Sequence, residues 1–148
     1  MAFVIRDSKP EDFETLWRID QECFPPGISY SKQELKFYMS RRGTFSLVAS
    51  GTDETNVGGF IVAHGGATGH VITIDVMKAE RRSGVGSLLL QAAEERLRLA
   101  GCDAVGLETA VDNLAALNFY KRHGYNVIRT WPRYYSNGVD ALVMSKEL

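Results

Sequence analysis

The fold is constrained most by one stretch in the middle of the chain, where a basic turn with two glycines separates a strand pattern from a helix pattern. An apolar run at 71–76 leads into Arg81-Arg82-Ser83-Gly84-Val85-Gly86, and an amphipathic run at 87–100 follows. A helix N-terminus directs unpaired backbone N–H groups, with roughly half a positive charge, at an anion. Glycines let a pyrophosphate approach the main chain, and the two arginines can hold its outer oxygens. The stretch therefore predicts a site for a phosphorylated ligand.

The spacing of this turn excludes two common phosphate-binding motifs. A Walker phosphate loop requires Gly-x-x-x-x-Gly-Lys-Ser/Thr, and no such string occurs in the sequence. A dinucleotide fingerprint requires a third glycine where Leu89 stands. What remains is Arg-x-x-Gly-x-Gly at positions 81, 84 and 86. Glycine-bearing turns also serve purely structural ends, so the surrounding residues must decide the ligand.

Length and composition narrow the class of protein. A chain of 148 residues suits one domain, which we expect to span residues 1–148. Its net charge of −1 gives no reason to expect nucleic acid or an anionic membrane as a partner. Cys23 and Cys102 have no metal-ligand spacing, and we expect Cys102 to be a small buried hydrophobe. Since the sequence shows neither a signal-peptide pattern nor an apolar run of about 20 residues, we expect a cytoplasmic protein.

The order of predicted elements indicates a mixed α/β fold. Capping residues separate the segments, among them a capping box at Ser31 and Glu34 and an N-cap at Asn113. The Asn137-Gly138 pair is typical of a tight hairpin turn between the last two strands. We predict a mixed, mostly antiparallel sheet of six or seven strands with about four flanking helices. The predicted strands cover 2–6, 45–49, 57–63, 70–76, 104–109, 125–134 and 141–146, and the predicted helices end near Cys23, Arg41, Ala100 and His123.

The sequence also predicts where the helices begin and end and which face of one helix is buried. Ser8 or Asp12 is expected to cap the first helix. A loop is expected at 24–30, because two prolines and a glycine interrupt any helix there, and turns are expected at 51–56 and 65–69. The helix that starts near Ser87 is expected to stop at Gly101 and to bury one apolar face, formed by Val85, Leu88, Leu89, Ala92, Ala93 and Leu97.

Three segments resemble the GNAT superfamily of acetyl-coenzyme A-dependent N-acetyltransferases. They are the strand at 69–76, the turn at 81–86, and the segment 113–125, which is similar to the family pattern Asn-x-x-Ala-x-x-x-Tyr-x-x-x-Gly-Phe/Tyr. Together they cover most of residues 69–125 in the family's order. One departure is Lys78, which stands where the family often has a proline.

Other features are similar to N-terminal amino-group acetyltransferases, especially the ribosomal-protein-alanine type. These features are Leu107-Glu108-Thr109, the Phe24-Pro25 loop, and Tyr134-Tyr135 followed by Gly138 and Asp140-Ala141. The resemblance implies a GNAT fold and transfer of an acetyl group from acetyl-CoA to a primary amine, and the likeness to N-terminal amino-group acetyltransferases implies the N-terminal α-amino group of a protein or peptide as the acceptor. It implies no metal.

The resemblance also assigns roles to individual residues. Glu108 would remove a proton from the amine, directly or through a water, and Tyr120 would protonate the departing thiolate. The backbone N–H of Val76 would stabilise the developing oxyanion. Tyr30, Glu108, Tyr134 and Tyr135 would line the acceptor groove. The implied cofactor-binding residues are Ile74, Asp75, Val76, Arg81, Arg82, Ser83, Gly84, Val85, Gly86, Ser87, Asn113 and Tyr120.

Several alternatives stay open on the sequence alone. The buried-strand position of Asp75 fits either a substrate channel or a hydrogen bond to a neighbouring strand. His64, His70 and His123 share no metal-ligand spacing, so surface or packing roles are expected for them. The same fold can acetylate a small-molecule amine, or bind acyl-CoA as a sensor without catalysis. A monomer or a weak dimer is expected.

Overall fold

The computed structural model describes residues 3–52 and 56–148, and these residues form a seven-stranded mixed sheet with four helices. The strands are β1 (Val4–Asp7), β2 (Thr44–Ser50), β3 (Val57–Gly65), β4 (Gly69–Val76), β5 (Ala104–Ala110), β6 (Asn126–Trp131) and β7 (Ala141–Glu147). The helices are α1 (Phe13–Cys23), α2 (Lys32–Ser40), α3 (Val85–Leu99) and α4 (Leu114–Arg122). The strand order across the sheet is β1-β2-β3-β4-β5-β7-β6. This architecture is the predicted α/β fold.

Helices cover both faces of the sheet because the strands alternate their apolar side chains between two cores. On one face, Leu16 and Ile19 of α1 pack with Val48, Phe60 and Val62 of β2 and β3. On the other face, α3 and α4 pack against the intervening residues of the same strands. That larger core contains Leu47, Ala49, Ile61, Ala63, Val71, Leu89, Leu90, Ala93, Leu97, Leu107, Tyr120 and Met144.

The feature of the sheet that matters most for function is the divergence of β4 from β5. These two strands run parallel, and their ladder joins only Gly69 to Val105 and His70 to Gly106. Beyond His70, residues 71–76 of β4 have no ladder partner in β5. The result is a wedge-shaped cleft in the middle of the sheet, bordered by the strand that precedes the basic turn.

The backbone of β4 presents polar groups to this cleft. Met77 N–H donates to Gly58 O at 2.9 Å on the β3 side. Residues of an antiparallel pair bond to their neighbour alternately, so Ile74 and Val76 turn their N–H and C=O groups away from β3 and toward β5. An extended ligand can therefore bind the free edge of β4 as an added strand does.

Two predicted helix caps and one predicted core residue are confirmed. Glu34 N–H donates to Ser31 Oγ at 3.0 Å, and Ser31 N–H donates to the Glu34 carboxylate at 2.9 Å. At the start of α4, Ala116 N–H donates to Asn113 Oδ1 at 3.2 Å. Cys102 is 3% exposed, as expected of a small buried hydrophobe.

The start of α1 differs from the prediction. Asp12 does not cap α1 through its side chain, and Ser8 lies further upstream. The Asp12 carboxylate instead accepts from Lys9 N–H at 2.7 Å and pairs with Arg6 at 2.8 Å. It thereby closes a single 3-10 turn, Pro10–Asp12, that leads into the helix. The proline fixes φ at the start of that turn, which is why the helix begins later than the first capping residue suggests.

The prediction for α3 was wrong in two details. The helix begins at Val85, two residues ahead of Ser87. Leu88, predicted to be buried, is 46% exposed. The buried stripe advances by four residues at a time, through 85, 89, 93 and 97, so Leu88 falls outside it. Gly101, predicted to end the helix, follows it with a left-handed φ of 96°.

The last hairpin is longer than predicted. β6 ends at Trp131, because Pro132 has no N–H to extend the ladder, and residues 132–140 connect it to β7. Asn137-Gly138 therefore does not form a two-residue hairpin turn. It closes a turn at the tip of this loop, where Gly138 N–H donates to Tyr135 O at 2.9 Å.

Smaller boundary differences occur elsewhere. β3 continues to Gly65 and β4 begins at Gly69, which shortens the predicted connector between them. Gly51 N–H donates to Asn56 O at 2.7 Å across the predicted turn, although residues 53–55 of that turn lie outside the described residues. Ala2, the predicted first residue of β1, lies outside them too.

Candidate active site

A histidine–glutamate pair stands where β4 and β5 separate. His70 Nε2 lies 3.0 Å from both carboxylate oxygens of Glu108. The pairing follows from the strand register, because His70 is level with Gly106 and Glu108 lies two residues further along the same face of β5. Glu108 is largely covered, whereas the His70 side chain is 40% exposed. The pair can accept a proton from a group entering the cleft and share it between imidazole and carboxylate.

His70 was not predicted as a site residue. A search for metal-ligand spacing cannot find it, because its partner Glu108 is 38 positions away in sequence and on another strand. His70 could have been identified from the parallel pairing of two neighbouring strands. Each of these strands carries a titratable residue close to the point where their hydrogen-bonded ladder ends.

Of the three tyrosines predicted to line the acceptor groove, Tyr134 and Tyr135 lie near this pair, and Tyr30 borders β4. Burial and then the negative charge of Glu108 raise the pKa of Tyr134 and of Tyr135, so both hydroxyls stay protonated at neutral pH. Their rings meet edge to face at 5.0 Å between centroids. Tyr30 approaches from the opposite side, and its OH donates to Ile72 O of β4 at 3.4 Å. The structure thus brings the loops at 24–30 and 132–140 to one end of the cleft.

These two loops are fastened to each other. Gly27 O accepts from Ser136 N–H at 3.3 Å and from Ser136 Oγ at 2.9 Å. The contact is close, because a Cβ placed on Gly27 would lie 2.7 Å from Asn137 Cβ. Gly27 has a φ of 93°, in the region that glycine adopts most readily. We call this contact between Gly27 and the Ser136-Asn137 pair the clasp.

Tyr120, the predicted acid, lies behind the cleft on α4. It is 7% exposed and packs in the core between Phe119 and Tyr125. Burial raises the pKa of its hydroxyl, and the charges of Asp75 and Glu108 add to that effect. The raised pKa keeps the phenol protonated at neutral pH, so its O–H is available as a hydrogen-bond donor.

The basic turn has the backbone of an anion site. Arg82 and Gly84 both have left-handed φ, 69° and 89°. Helix α3 starts directly afterwards, and Leu88 N–H donating to Gly84 O is its first turn, so the N–H groups of residues 85–87 have no intrahelical acceptor. A Cβ on Gly84 would meet nothing within 4 Å, which leaves open space over the turn.

Three side chains in and just after the turn form hydrogen bonds within the protein. Arg81 Nε donates to Val76 O at 3.2 Å, and the Ser83 hydroxyl donates to Glu80 O. Ser87 Oγ lies 2.9 Å from His123 Nε2, which connects the start of α3 to the end of α4. The arginine thus fixes the end of β4, where the sequence resemblance predicts the oxyanion donor.

The Asp75 side chain follows neither alternative left open by the sequence. It is 1% exposed, accepts from Thr73 Oγ1 of its own strand at 2.6 Å, and interacts with Asp20 of α1. It therefore points to the α1 side of the sheet, and by the alternation along β4 its backbone N–H and C=O groups face β3.

The cleft and the turn fit an extended ligand that ends in a pyrophosphate. The free edge of β4 offers amide and carbonyl groups, and the turn at its end offers unpaired N–H groups beside open space. Among residues 3–52 and 56–148, His, Cys, Asp and Glu side chains form no group of three or more that could hold a metal ion. None of the helices within these ranges is long and apolar enough to span a membrane.

Comparison with known proteins agrees with this geometry. Residues 13–125 match the profile of the acetyltransferase (GNAT) family. An uncharacterized N-acetyltransferase of Methanocaldococcus jannaschii is 30% identical over 97% of this chain and 91% of its own. N-alpha-acetyltransferase 30 of Schizosaccharomyces pombe is 34% identical over 76% of this chain and 77% of its own. The crystal structure of Ard1 from Thermoplasma volcanium superimposes with a TM-score of 0.90 at 28% identity, covering 100% of this chain and 99% of that one.

Proposed function

The chain belongs to the acetyltransferase (GNAT) family, whose members use acetyl-CoA, and on that basis we propose that it acetylates the N-terminal α-amino group of a protein or peptide. The observation that carries the proposal is the His70–Glu108 pair at the point where β4 and β5 separate, beside Tyr134 and Tyr135 of the loop at 132–140. The names of the relatives, N-alpha-acetyltransferases, support the same acceptor class.

The first requirement of the reaction is a neutral amine. An α-amino group has a reference pKa near about 8, so most of it is protonated at neutral pH. Glu108 is proposed as the base, and His70, at 3.0 Å from both of its oxygens, shares the proton and orients the carboxylate. The exposed side of His70 faces solvent and gives the proton a way out.

Other residues are proposed to hold and polarise the acetyl donor. The backbone groups of Ile74 and Val76 pair with the pantetheine amides, and the turn at 81–87 binds the pyrophosphate. Val76 N–H, which turns away from β3, is the proposed oxyanion donor. Val76 O accepts from Arg81 Nε at 3.2 Å and from the Cys23 thiol at 3.4 Å. Tyr120 is the proposed acid for the departing thiolate.

Turnover of short peptides tests the acceptor class directly. Coenzyme A release is measured with acetyl-CoA and peptides that differ in their first residue, with N-terminally blocked peptides as the negative control. We expect turnover only with free N-termini. Turnover with a diamine or an aminoglycoside but with no peptide would move the assignment to small-molecule amines. Tight acetyl-CoA binding with no turnover of any amine would favour a sensor.

Variants of the pair test the chemistry. Glu108→Gln is expected to lower kcat about 10²- to 10⁴-fold, and His70→Gln, which keeps a hydrogen bond but cannot take a proton, is expected to lower it by a smaller factor. The matched control is Glu95→Gln, an exposed position on α3 outside the cleft. A kcat within twofold of wild type for Glu108→Gln would remove the proposed base.

A further inference from the structure

Two buried carboxyl groups meet beneath the loop that carries Tyr30. Asp20 on α1 is 0% exposed and Asp75 on β4 is 1% exposed. Their carboxyl groups interact across the gap between helix and strand, and each leaves one buried oxygen, Asp20 Oδ1 or Asp75 Oδ2, without a donor in the described part of the chain. Neither residue belongs to the His70–Glu108 pair, and the proposed chemistry uses neither side chain.

The hydrogen bonding of this pair requires one proton. Asp20 Oδ2 accepts from Tyr30 N–H at 2.7 Å, and Asp75 Oδ1 accepts from Thr73 Oγ1 at 2.6 Å. The remaining oxygens, Asp20 Oδ1 and Asp75 Oδ2, are buried and have no N–H or O–H donor among the described residues. Ionised carboxylates only accept hydrogen bonds, so the two can bond to each other only if one is protonated.

The charges around the pair do not remove that requirement. Burial raises the pKa of both carboxyl groups, most strongly that of Asp75. One cation, Arg81, lowers the pKa of Asp75, but the opposing effect of burial is larger. The titratable groups that act on the pair are Cys23 on α1, Glu34 on α2, Tyr30 in the loop at 24–30, Arg81 after β4 and, from the other face of the sheet, Tyr120 on α4. Burial raises the pKa of the Cys23 thiol to about 11, so it adds no negative charge at neutral pH.

The pair supports the residue that borders the acceptor groove. Tyr30 N–H is held by Asp20, and Tyr30 O accepts from Trp17 Nε1 at 3.1 Å and from Gln21 Nε2 at 2.7 Å. These donors all come from α1, whereas Asp75 belongs to β4. The Asp20–Asp75 bond therefore links the α1 end of the loop to the strand that borders the cleft.

We propose that Asp20 and Asp75 share a single proton and form a positioning pair that holds Tyr30 against β4 for binding of the acceptor amine. This inference rests on the proposed function for its acceptor, but the proton itself does not depend on turnover. When the proton leaves, two negative charges remain in a buried site, and their repulsion separates α1 from β4. Tyr30 then loses its place beside the cleft.

The pH dependence has a defined sign. A carboxyl group whose pKa is raised in the folded state above its ordinary value of 3.8 binds more protons folded than unfolded. Its stabilising contribution is complete below about pH 3.8 and is lost as the pH rises through the raised, folded-state pKa. The Asp75→Asn variant replaces the shared proton with a permanent amide donor to Asp20, so it escapes this loss.

Thermal unfolding and infrared spectroscopy test the proton without any substrate. We expect the Tm of Asp75→Asn, relative to wild type, to rise steadily from about pH 4 to about pH 9, and Asp20→Asn to behave likewise. The exposed Asp103→Asn is the matched control and should keep a constant difference. The infrared band of a protonated carboxylic acid should be present in wild type at neutral pH and absent in Asp75→Asn. Absence of the band in wild type, or a Tm difference independent of pH, would overturn the shared proton.

Peptide kinetics test the positioning role. The wild-type KM for a peptide, divided by the Asp75→Asn KM, should rise with pH above neutrality. Loss of one proton limits this rise to about tenfold per pH unit. The ionisation of the peptide amine affects both KM values equally and cancels in the ratio. Asp75→Ala, which removes the bond, should raise the peptide KM at all pH values while the Kd for acetyl-CoA changes less than threefold. A flat KM ratio together with the infrared band would show a proton without a positioning role. If no peptide is turned over, the proposed function fails while the spectroscopic result still decides the proton.

Discussion

The clasp between the two acceptor loops makes a sharp prediction for Gly27→Ala. Gly27 has a φ of 93°, where a residue with a Cβ is less stable by roughly 1–2 kcal/mol. The new Cβ would also lie 2.7 Å from Asn137 Cβ and 2.9 Å from Asn137 N, so the loops must move apart. Separation breaks the two hydrogen bonds from Ser136 to Gly27 O, each with a net contribution of about 0.5–1.5 kcal/mol.

Both effects lower the stability of the fold, but only the lost clasp acts on the acceptor. The backbone strain and the two lost bonds together cost about 2–5 kcal/mol, which lowers Tm by about 4–20 °C, at about 2–4 °C per kcal/mol for a domain of this size. The lost clasp, about 1–3 kcal/mol, has to be restored when the acceptor binds, so the peptide KM rises about 5- to 150-fold. The Kd for acetyl-CoA, measured by calorimetry, should change less than twofold, because the predicted cofactor site lies at the other end of the cleft.

Gly138→Ala is the matched control for this variant. Gly138 has a similar φ of 86° and lies in the other loop of the clasp, but a Cβ there would meet nothing within 4 Å. It should show only the fall in Tm that strain causes, about 2–8 °C, without the rise in peptide KM. Equal KM values for the two variants would refute the reasoning that the clasp shapes the acceptor groove, and an equal loss of acetyl-CoA affinity would show that the loops do not act on the acceptor alone.

Three further predictions concern other parts of the molecule. Arg82→Gly relieves a left-handed φ of 69° but removes a cation, so Tm should not fall by more than about 2 °C while the Kd for acetyl-CoA rises about 3- to 10-fold in low salt, a difference that shrinks in high salt. Asp12→Asn should destabilise the fold by about 1–3 kcal/mol at neutral pH in urea titrations. Because Arg6 lowers the pKa of Asp12 below 3.8, that gap should close as the pH falls through the lowered value, and a gap that persists in acid would contradict the ion pair. Tyr125→Phe removes the 2.7 Å bond to buried Glu94 and should destabilise by about 1.5–3 kcal/mol, whereas an unchanged Tm would show that Lys146 alone satisfies Glu94.

Local signals in the sequence predicted most of the fold. Apolar periodicity, the capping box at Ser31 and the cap at Asn113 depend on residues within a few positions of each other, and the structure reproduces them. Two errors have local causes, because Pro10 delays the start of α1 and Pro132 ends β6 early. Leu88 has the right residue type for a core position, but the sheet covers the stripe at 85, 89, 93 and 97 and leaves Leu88 46% exposed.

The site was harder to predict from the sequence, because its contacts join residues that are far apart in the chain. His70 and Glu108 meet because β4 and β5 pair in one register and then separate, and Gly27 meets Ser136 across 109 positions. The interaction between Asp20 and Asp75 likewise joins α1 to β4, and α2, β2 and β3 lie between these two elements in the sequence. The spacing of a sequence motif reflects contacts within one helix or strand and the turn beside it. The contacts named above form only when the whole sheet is assembled.

The most direct test of the proposed function is the position of the acetyl group in a product. A peptide with a free N-terminus and an internal lysine is incubated with the protein and acetyl-CoA at neutral pH, and the acetylated atom is located by tandem mass spectrometry. The proposal predicts acetylation of the α-amino group alone, because its reference pKa near about 8 lies far below that of lysine at about 10.4. Acetylation of the lysine side chain with an unmodified N-terminus would contradict it.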